Sequence, residues 1–472
     1  MSEILDLTIA EARRSLLARE VSAVELAEAT IRHIERSDGH LHAYATLMVE
    51  EALASARAAD EEIGRGIPRG PLHGIPVGVK DLCHVRGVPT EAGSAVLRGF
   101  VPSVDATVVE RLHAGGAVLV GKTVTSEFAF GPTIRPTRNP WDLDRSPEGS
   151  SAGSAVAVAA RSAFATIGTD TAGSIRAPAG VNGVVGLKPT FGLVGTGGVI
   201  PMSRSLDHVG PITRTVEDCA AVLSVIAGFD SRDPHSLDVE PPILDLEPQI
   251  GLDGLRIGIE RTHLPEPDLD PVARDAAERV ARTLEELGAT IVEVEIPQLE
   301  LAEASLVTIK AVEASAYHLP RIRRDAHDLH QVTRVILQAG ALISAVQYGE
   351  ARRARALITQ SVRETFQRHQ LDALLGPGWG PAASVEAIEQ APFTAVPFTF
   401  PMRPSTVNLT GMPAINVPCG FTDLGLPRGG VELWGRPLGE RTLFRIAAAY
   451  EAVDAWHRRV PAIAHGPVPE AT

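Results

Sequence analysis

From residue 75 onward, short β-branched runs keep returning between stretches of helical periodicity. A chain patterned this way folds neither as a helical bundle nor as an all-β sandwich. The runs lie at 75–82, 117–120, 165–169, 255–259, 290–296 and 414–417, with helical stretches at 107–113, 154–162, 216–227 and 270–287 between most of them. The last of these opens on Asp270-Pro271, a cap followed by proline in the first turn, and stops at Gly288. Strands apolar on both faces and joined by helices predict an α/β fold. The expected form is one large domain with a mixed, mostly parallel central sheet covered by helices on both faces. Residues 1–65 are expected to form helices packed on that core. Thr8-Ile-Ala-Glu11 and Ser22-Ala-Val-Glu25 both have capping-box spacing, and a third helix is read over 50–62. Residues 66–230 carry the segments with chemical character. Residues 231–472 complete the same domain, with a helical, Arg-rich insertion at 300–370 and a loop dense in Pro, Gly and aromatics at 376–405.

Composition narrows the class further. With 44% hydrophobic and 22% charged residues, plus 43 Gly and 35 Pro among 472, this is a core-forming chain with many tight turns. The balance of 44 basic against 58 acidic residues gives −14, a field that repels nucleic acid and anionic membrane, so neither is an expected partner. The longest apolar stretch, 155–167, carries Arg161 and is too short to span a bilayer, and the first residues lack the build of a secretion signal. Cys83, Cys219 and Cys419 are far apart and fit neither a disulfide framework nor a zinc spacing, so a reducing, cytoplasmic setting is expected.

Two patterns invite readings that should be set aside. Gly116-Ala-Val-Leu-Val-Gly121-Lys122-Thr123 fits the phosphate-loop consensus letter for letter. Its four inner residues, however, read as a strand preceded by a helix, and a pleated strand cannot wrap its N–H groups around a phosphate. The histidines (His33, His40, His42, His73, His84) form no helical pair beside a Glu of the kind hydrolytic zinc sites use. No metal and no cofactor are expected.

Three segments carry chemistry together. Gly74-Ile-Pro-Val-Gly-Val-Lys80-Asp81 ends an apolar strand on a lysine. Ser146-Pro-Glu-Gly149-Ser150-Ser151-Ala-Gly153-Ser154 runs into an Ala-rich helix, and Asp170-Thr171-Ala172-Gly173-Ser174-Ile175-Arg176 follows a strand. Ser174 on such a turn can act as nucleophile, with the N–H groups of Thr171, Ala172, Gly173 and Ser174 as an oxyanion hole. No Gly-x-Ser-x-Gly elbow is present, so the base would be a lysine that is neutral at working pH. Lowering a lysine from ~10.4 to ~7 costs about 4.6 kcal/mol, which requires burial and no carboxylate partner. Asp81 is adjacent, but neighbours on a strand point to opposite faces.

These segments, with Gly121-Lys122-Thr123, Asn139-Pro140-Trp141, Gly186-Leu-Lys-Pro-Thr190, Asn408-Leu-Thr-Gly-Met-Pro413-Ala and Val417-Pro-Cys-Gly420, occur in an order that resembles the amidase signature family of serine hydrolases. The resemblance covers nearly the whole chain. It implies a triad of Ser174 as nucleophile, Ser150 as bridging serine after a cis Gly149–Ser150 peptide, and Lys80 as base. It further implies oxyanion donors at 171–174 and supporting roles for Ser151, Asp170 and Arg176. The implied activity is hydrolysis of amide bonds through an acyl-enzyme, extending to esters or carbamates. The implied substrate is a small molecule, bound by a monomer or homodimer. The alternative is the glutaminase component (the A-type polypeptide) of a tRNA-dependent amidotransferase complex.

The chain departs from the family pattern at Glu148, Ala152 and Ala172, where glycines are usual, and at Gly376-Pro-Gly-Trp-Gly380. A carboxylate at 148 facing Lys80 would hold the amine protonated, so Glu148 is expected to point away. The aromatics of 376–405, Trp379, Phe393, Phe398 and Phe400, are expected near the substrate. Trp379, Phe398 and Phe400 are the binding candidates, favouring an apolar or aryl group.

Overall fold

The computed structural model describes residues 3–130, 136–240, 251–260, 270–390 and 402–465, the side chains at 3 and 402–405 apart. Each of the six β-branched runs forms a strand, and five more strands join them in one eleven-stranded sheet. In chain order these are β1 (Tyr44–Leu47), β2 (Pro76–Lys80), β3 (Val118–Thr123), β4 (Ala165–Asp170), β5 (Val185–Lys188), β6 (His208–Thr213), β7 (Arg256–Glu260), β8 (Thr290–Val294), β9 (Ala373–Pro377), β10 (Ala414–Val417) and β11 (Val431–Gly435). Their order across the sheet is β1-β3-β2-β4-β6-β5-β10-β11-β9-β7-β8.

The sheet is mixed, but it is not mostly parallel. β2 runs parallel to β3 and β4, and β7 parallel to β8 and β9. The other six pairs are antiparallel. Every antiparallel pair includes β1, β5, β6, β9 or β11, strands whose sequences are short or interrupted by Gly and Pro (Val-Gly-Leu-Lys, His-Val-Gly-Pro-Ile-Thr, Ala-Leu-Leu-Gly-Pro). Five of the six β-branched runs lie in the two parallel trios, where helical crossovers bury both strand faces; the sixth, β10, is antiparallel to both its neighbours, and β9 joins its trio without such a run.

The helices form where caps and periodicity place them. Thr8 and Ser22 close reciprocal capping boxes with Glu11 and Glu25 on the helices Ile9–Ala18 and Ala23–Leu41. Asp270 accepts from Val272 N–H at 2.7 Å and opens the helix Pro271–Glu286. The region read as an Arg-rich helical insertion contains Ala302–Arg324, Gln331–Gly340 and Ala345–Arg368. The region read as one long loop, 376–405, holds the end of β9 and helical turns at Val385–Gln390 and from Met402, so that expectation is corrected too. Its glycines let two backbones touch: a Cβ on Gly378 would stand 2.3 Å from Gly430 O. Phe393, Phe398 and Phe400 lie outside the described residues.

The molecule is thus a single α/β domain. Lys80, Thr123 and Asp170 close β2, β3 and β4, so these three parallel strands direct their carboxyl ends at one place. In α/β sheets that end is where ligands bind. Among the described residues, no helix is long and apolar enough to cross a membrane.

Candidate active site

The chain contains only four lysines, Lys80, Lys122, Lys188 and Lys310, and all four are buried. Lys122 fills the phosphate-loop look-alike: it sits inside β3 and donates to Asp81 Oδ1 at 2.8 Å and Thr90 Oγ1 at 2.9 Å. Asp81 also accepts from the N–H groups of Glu91 and Ala92, each at 3.1 Å. The carboxylate next to Lys80 in sequence is therefore committed to Lys122, as strand alternation requires.

Lys80 has no ion pair among the described residues. Its Nζ lies 2.8 Å from Ser150 Oγ, 2.8 Å from Ser151 Oγ and 2.8 Å from Thr169 Oγ1, with Thr169 O at 3.4 Å. Complete burial pulls its pKa down to about 7, against a smaller upward pull from Cys83, Asp170 and Asp207. Glu148 is not among the charges acting on it. Burial raises Glu148's own carboxyl above the usual range.

The protons around the amine can be counted. Ser151 Oγ donates to Thr169 O at 3.2 Å, so it meets Lys80 as an acceptor. A neutral amine has two N–H donors and one lone pair. Ser151 takes one of these donors, and the hydroxyls of Ser150 and Thr169 are each able to donate to the lone pair. Ser150 follows a cis Gly149–Ser150 peptide, and Ser151 N–H donates to Ser174 O at 3.2 Å, which brings the second and third segments together. Ser174 is partly exposed, and its Oγ makes no hydrogen bond among the described residues, to Ser150 included. Catalytic contacts of this kind often tighten only around substrate.

The turn after β4 is held from beneath. Asp170 accepts from Gly173 N–H at 2.8 Å, Ile175 N–H at 3.1 Å, Arg176 Nε at 3.0 Å and Asn408 Nδ2 at 2.9 Å. Burial would raise this carboxyl, but Arg176 overrides it and holds it well below the ordinary value. Arg176 is fully buried and reaches Glu432 at 2.8 Å and Asn408 Oδ1 at 2.8 Å as well. One expected oxyanion donor is removed by this arrangement. Gly173 spends its N–H on Asp170, leaving Thr171, Ala172 and Ser174 with N–H groups that have no acceptor among the described residues. Gly173 is needed for another reason: its φ is +110° and the Trp379 ring occupies the space of a Cβ.

Thr169, Asp207, Asn408 and Glu432 are site residues that the sequence reading missed. The alternation Thr169-Asp170-Thr171 was an available signal, since it sends both threonines to the face opposite Asp170. Thr171 Oγ1 donates to Asp207 Oδ1 at 2.6 Å, and Asp207 accepts from Met202 N–H and Ser203 N–H, each at 3.0 Å. Burial pushes the Asp207 carboxyl up to about 7. Glu313, on the helical insertion, grips the same loop through Ser203 Oγ and Ser205 Oγ, both at 2.7 Å. No local sequence pattern links residues that far apart.

A buried, carboxylate-free lysine on a serine pair, beside a turn of free N–H groups, is equipped for acyl transfer. The Amidase family model matches residues 25–444. The chain belongs to the amidase family. It is an amidohydrolase acting on carbon–nitrogen bonds, and amidases of this family take small amide substrates. It is 42% identical to an amidase of Pseudomonas putida over 98% of this chain and 99% of that one. It is 39% identical to a glutamyl-tRNA(Gln) amidotransferase polypeptide of the A type from Myxococcus xanthus, over 97% of this chain and 99% of that one. Among solved structures, the native peptide amidase of Stenotrophomonas maltophilia superposes with a TM-score of 0.82 at 34% identity, covering 96% of this chain and 98% of that one.

Proposed function

We propose that this amidase works through an acyl-enzyme on Ser174, with Lys80 as base and Ser150 as the bridge between them. The observation carrying this reading is Lys80: buried, without a carboxylate, and 2.8 Å from Ser150 Oγ. Neutral Lys80 accepts the Ser150 proton while Ser150 accepts that of Ser174. Ser174 Oγ attacks the amide carbon, and the N–H groups of Thr171, Ala172 and Ser174 receive the charge that develops on oxygen. The proton returns through Ser150 to the departing amine, and water then releases the acyl group. Ser151, Asp170 and Arg176 hold the parts in register.

Esters and carbamates suit the same steps. An apolar or aryl group is the expected acyl part; a narrow cavity beside Thr169 and Thr171 is walled by Leu82, Ala129, Ile200 and Met202 together with Arg204, Asp207 and His208. The three cysteines are buried and unpaired, in keeping with a reducing, cytoplasmic setting, and a monomer or homodimer is the expected assembly. A fluorophosphonate probe is expected to label Ser174 in the wild type and nothing in Ser174→Ala. Equal labelling of the variant overturns the assignment.

The likeness to A-type amidotransferase polypeptides supports a second reading, a glutaminase working inside a complex. The purified chain decides between them. Turnover of simple aryl and alkyl amides without a partner favours the stand-alone amidase, and glutamine as the only good substrate favours the glutaminase.

A further inference from the structure

The loop 202–207 ties the oxyanion turn to the helical insertion through two carboxylates. Asp207 faces the turn, taking the Thr171 hydroxyl at 2.6 Å and the N–H groups of Met202 and Ser203, each at 3.0 Å. The loop also closes on itself, since Leu206 N–H and Asp207 N–H both donate to Ser203 O at 2.8 Å. Glu313 meets the other side from the helix Ala302–Arg324. Its Oε2 accepts from Ser203 Oγ at 2.7 Å and Ser205 N–H at 3.0 Å, and its Oε1 from Ser205 Oγ at 2.7 Å and Tyr348 Oη at 2.9 Å. Burial would raise this carboxyl, but the bonds from Ser203, Ser205 and Tyr348 outweigh it and hold Glu313 below the ordinary value. Four donors fill the acceptor sites of a carboxylate. An amide in its place could accept on one side only and would turn N–H groups toward donors.

Ser203 carries both links, its hydroxyl to Glu313 and its N–H to Asp207, so a shift at one carboxylate is felt at the other. Among the described residues Glu313 makes no hydrogen bond to Lys80, Ser150 or Ser174. Its route to the chemistry runs through Ser203, Asp207 and the Thr171 hydroxyl, and Thr171 supplies one of the oxyanion N–H groups. Ser205 is held a second time by Arg355, which donates to its Oγ at 3.1 Å and its O at 3.0 Å, so loss of the Glu313 charge loosens the loop without releasing it. We propose that Glu313 is a positioning residue for Thr171: through Ser203 and Asp207 it holds the Thr171 N–H where the developing oxyanion needs it. A donor moved off that place weakens the transition state and not substrate binding, so the effect falls on kcat. This rests on the acyl-enzyme reading of Ser174 and adds a distant support to its oxyanion hole.

The test is a double-mutant cycle on kcat, run on one amide that the wild type turns over and well below the lowest melting point of the set. Glu313→Gln is expected to lower kcat about five-fold with KM unchanged. In a Thr171→Val background the same change is expected to add less than about two-fold, because the path it works through is already cut. A fall by the same factor in both backgrounds marks a purely structural role and overturns the proposal. An unchanged kcat in Glu313→Gln overturns it as well, and so does a raised KM with kcat intact. Should Glu313→Gln fail to fold, Ser203→Ala, which removes the hydroxyl link and keeps the N–H to Asp207, decides by the same comparison. Full hydrolysis in Ser174→Ala would instead remove the acyl-enzyme reading, and an unchanged kcat in Thr171→Val alone the oxyanion role of Thr171; each takes this proposal with it and is read without Glu313.

Discussion

Lys80 ends β2 and Lys122 is the last residue but one of the neighbouring parallel strand β3, paired with Thr123 and Val79 in the register, and both are wholly buried. Lys122 meets a carboxylate at 2.8 Å and becomes half of a buried ion pair. Lys80 meets only hydroxyls and a carbonyl, and burial brings its pKa down to about 7. The difference is one residue of strand alternation: Asp81 follows Lys80 yet faces Lys122. One amine is thereby made structural and the other is free to take a proton.

The comparison breaks most violently at Lys80 and Ser174. Ser174→Ala or Lys80→Met is expected to lower kcat at pH 7 by about 10⁴-fold or more, with thermal melting showing Lys80→Met at least as stable as wild type, since an apolar chain replaces a buried amine. Asp81→Asn should do the reverse. It leaves Lys122 buried without its partner, costing about 3–5 kcal/mol in urea unfolding, while kcat measured well below the melting point falls less than ten-fold. Smaller again is Thr171→Val, which cuts the tie to Asp207 and is expected to lower kcat about ten-fold with KM unchanged, Thr171→Ser restoring most of it. A Thr171→Val variant with raised KM and unchanged kcat would assign Thr171 to substrate binding instead. The smallest effect belongs to Glu148→Gln. Because Glu148 is not among the charges acting on Lys80, the pH midpoint of kcat/KM should move by less than about 0.3.

Much of the Lys80 side of this contrast was legible in the sequence. An apolar strand ending in Lys-Asp, a serine cluster before an Ala-rich helix and a small-residue turn point to the three segments and to Ser174 with a neutral lysine, whereas the bridging place of Ser150 is implied only by the family resemblance. The rejection of the phosphate-loop look-alike likewise rests on a strand pattern, and Lys122 is found inside β3. What was not legible depends on distant partners. The supports of the oxyanion turn arrive from Asn408 and Glu432, more than 200 residues downstream. Gly173's N–H could be counted as a free donor only until Asp170 is seen beneath it. The strands β5, β6, β9 and β11 escaped notice for a related reason. Glycine and proline interrupt them, and they are strands because their neighbours complete the ladder, not because of their own propensity.

Kinetic pH profiles mix Lys80 with Asp207, whose carboxyl burial pushes up to about 7 as well, so the decisive measurement reads the amine itself. With four lysines in the chain, NMR of protein carrying ¹³C at lysine Cε gives a spectrum in which the Lys80 signal is the one missing from Lys80→Met. The account requires that signal to titrate with a midpoint of about 7. A midpoint near the ordinary lysine value of about 10.4 would mean that the amine is charged at neutral pH and cannot serve as the base.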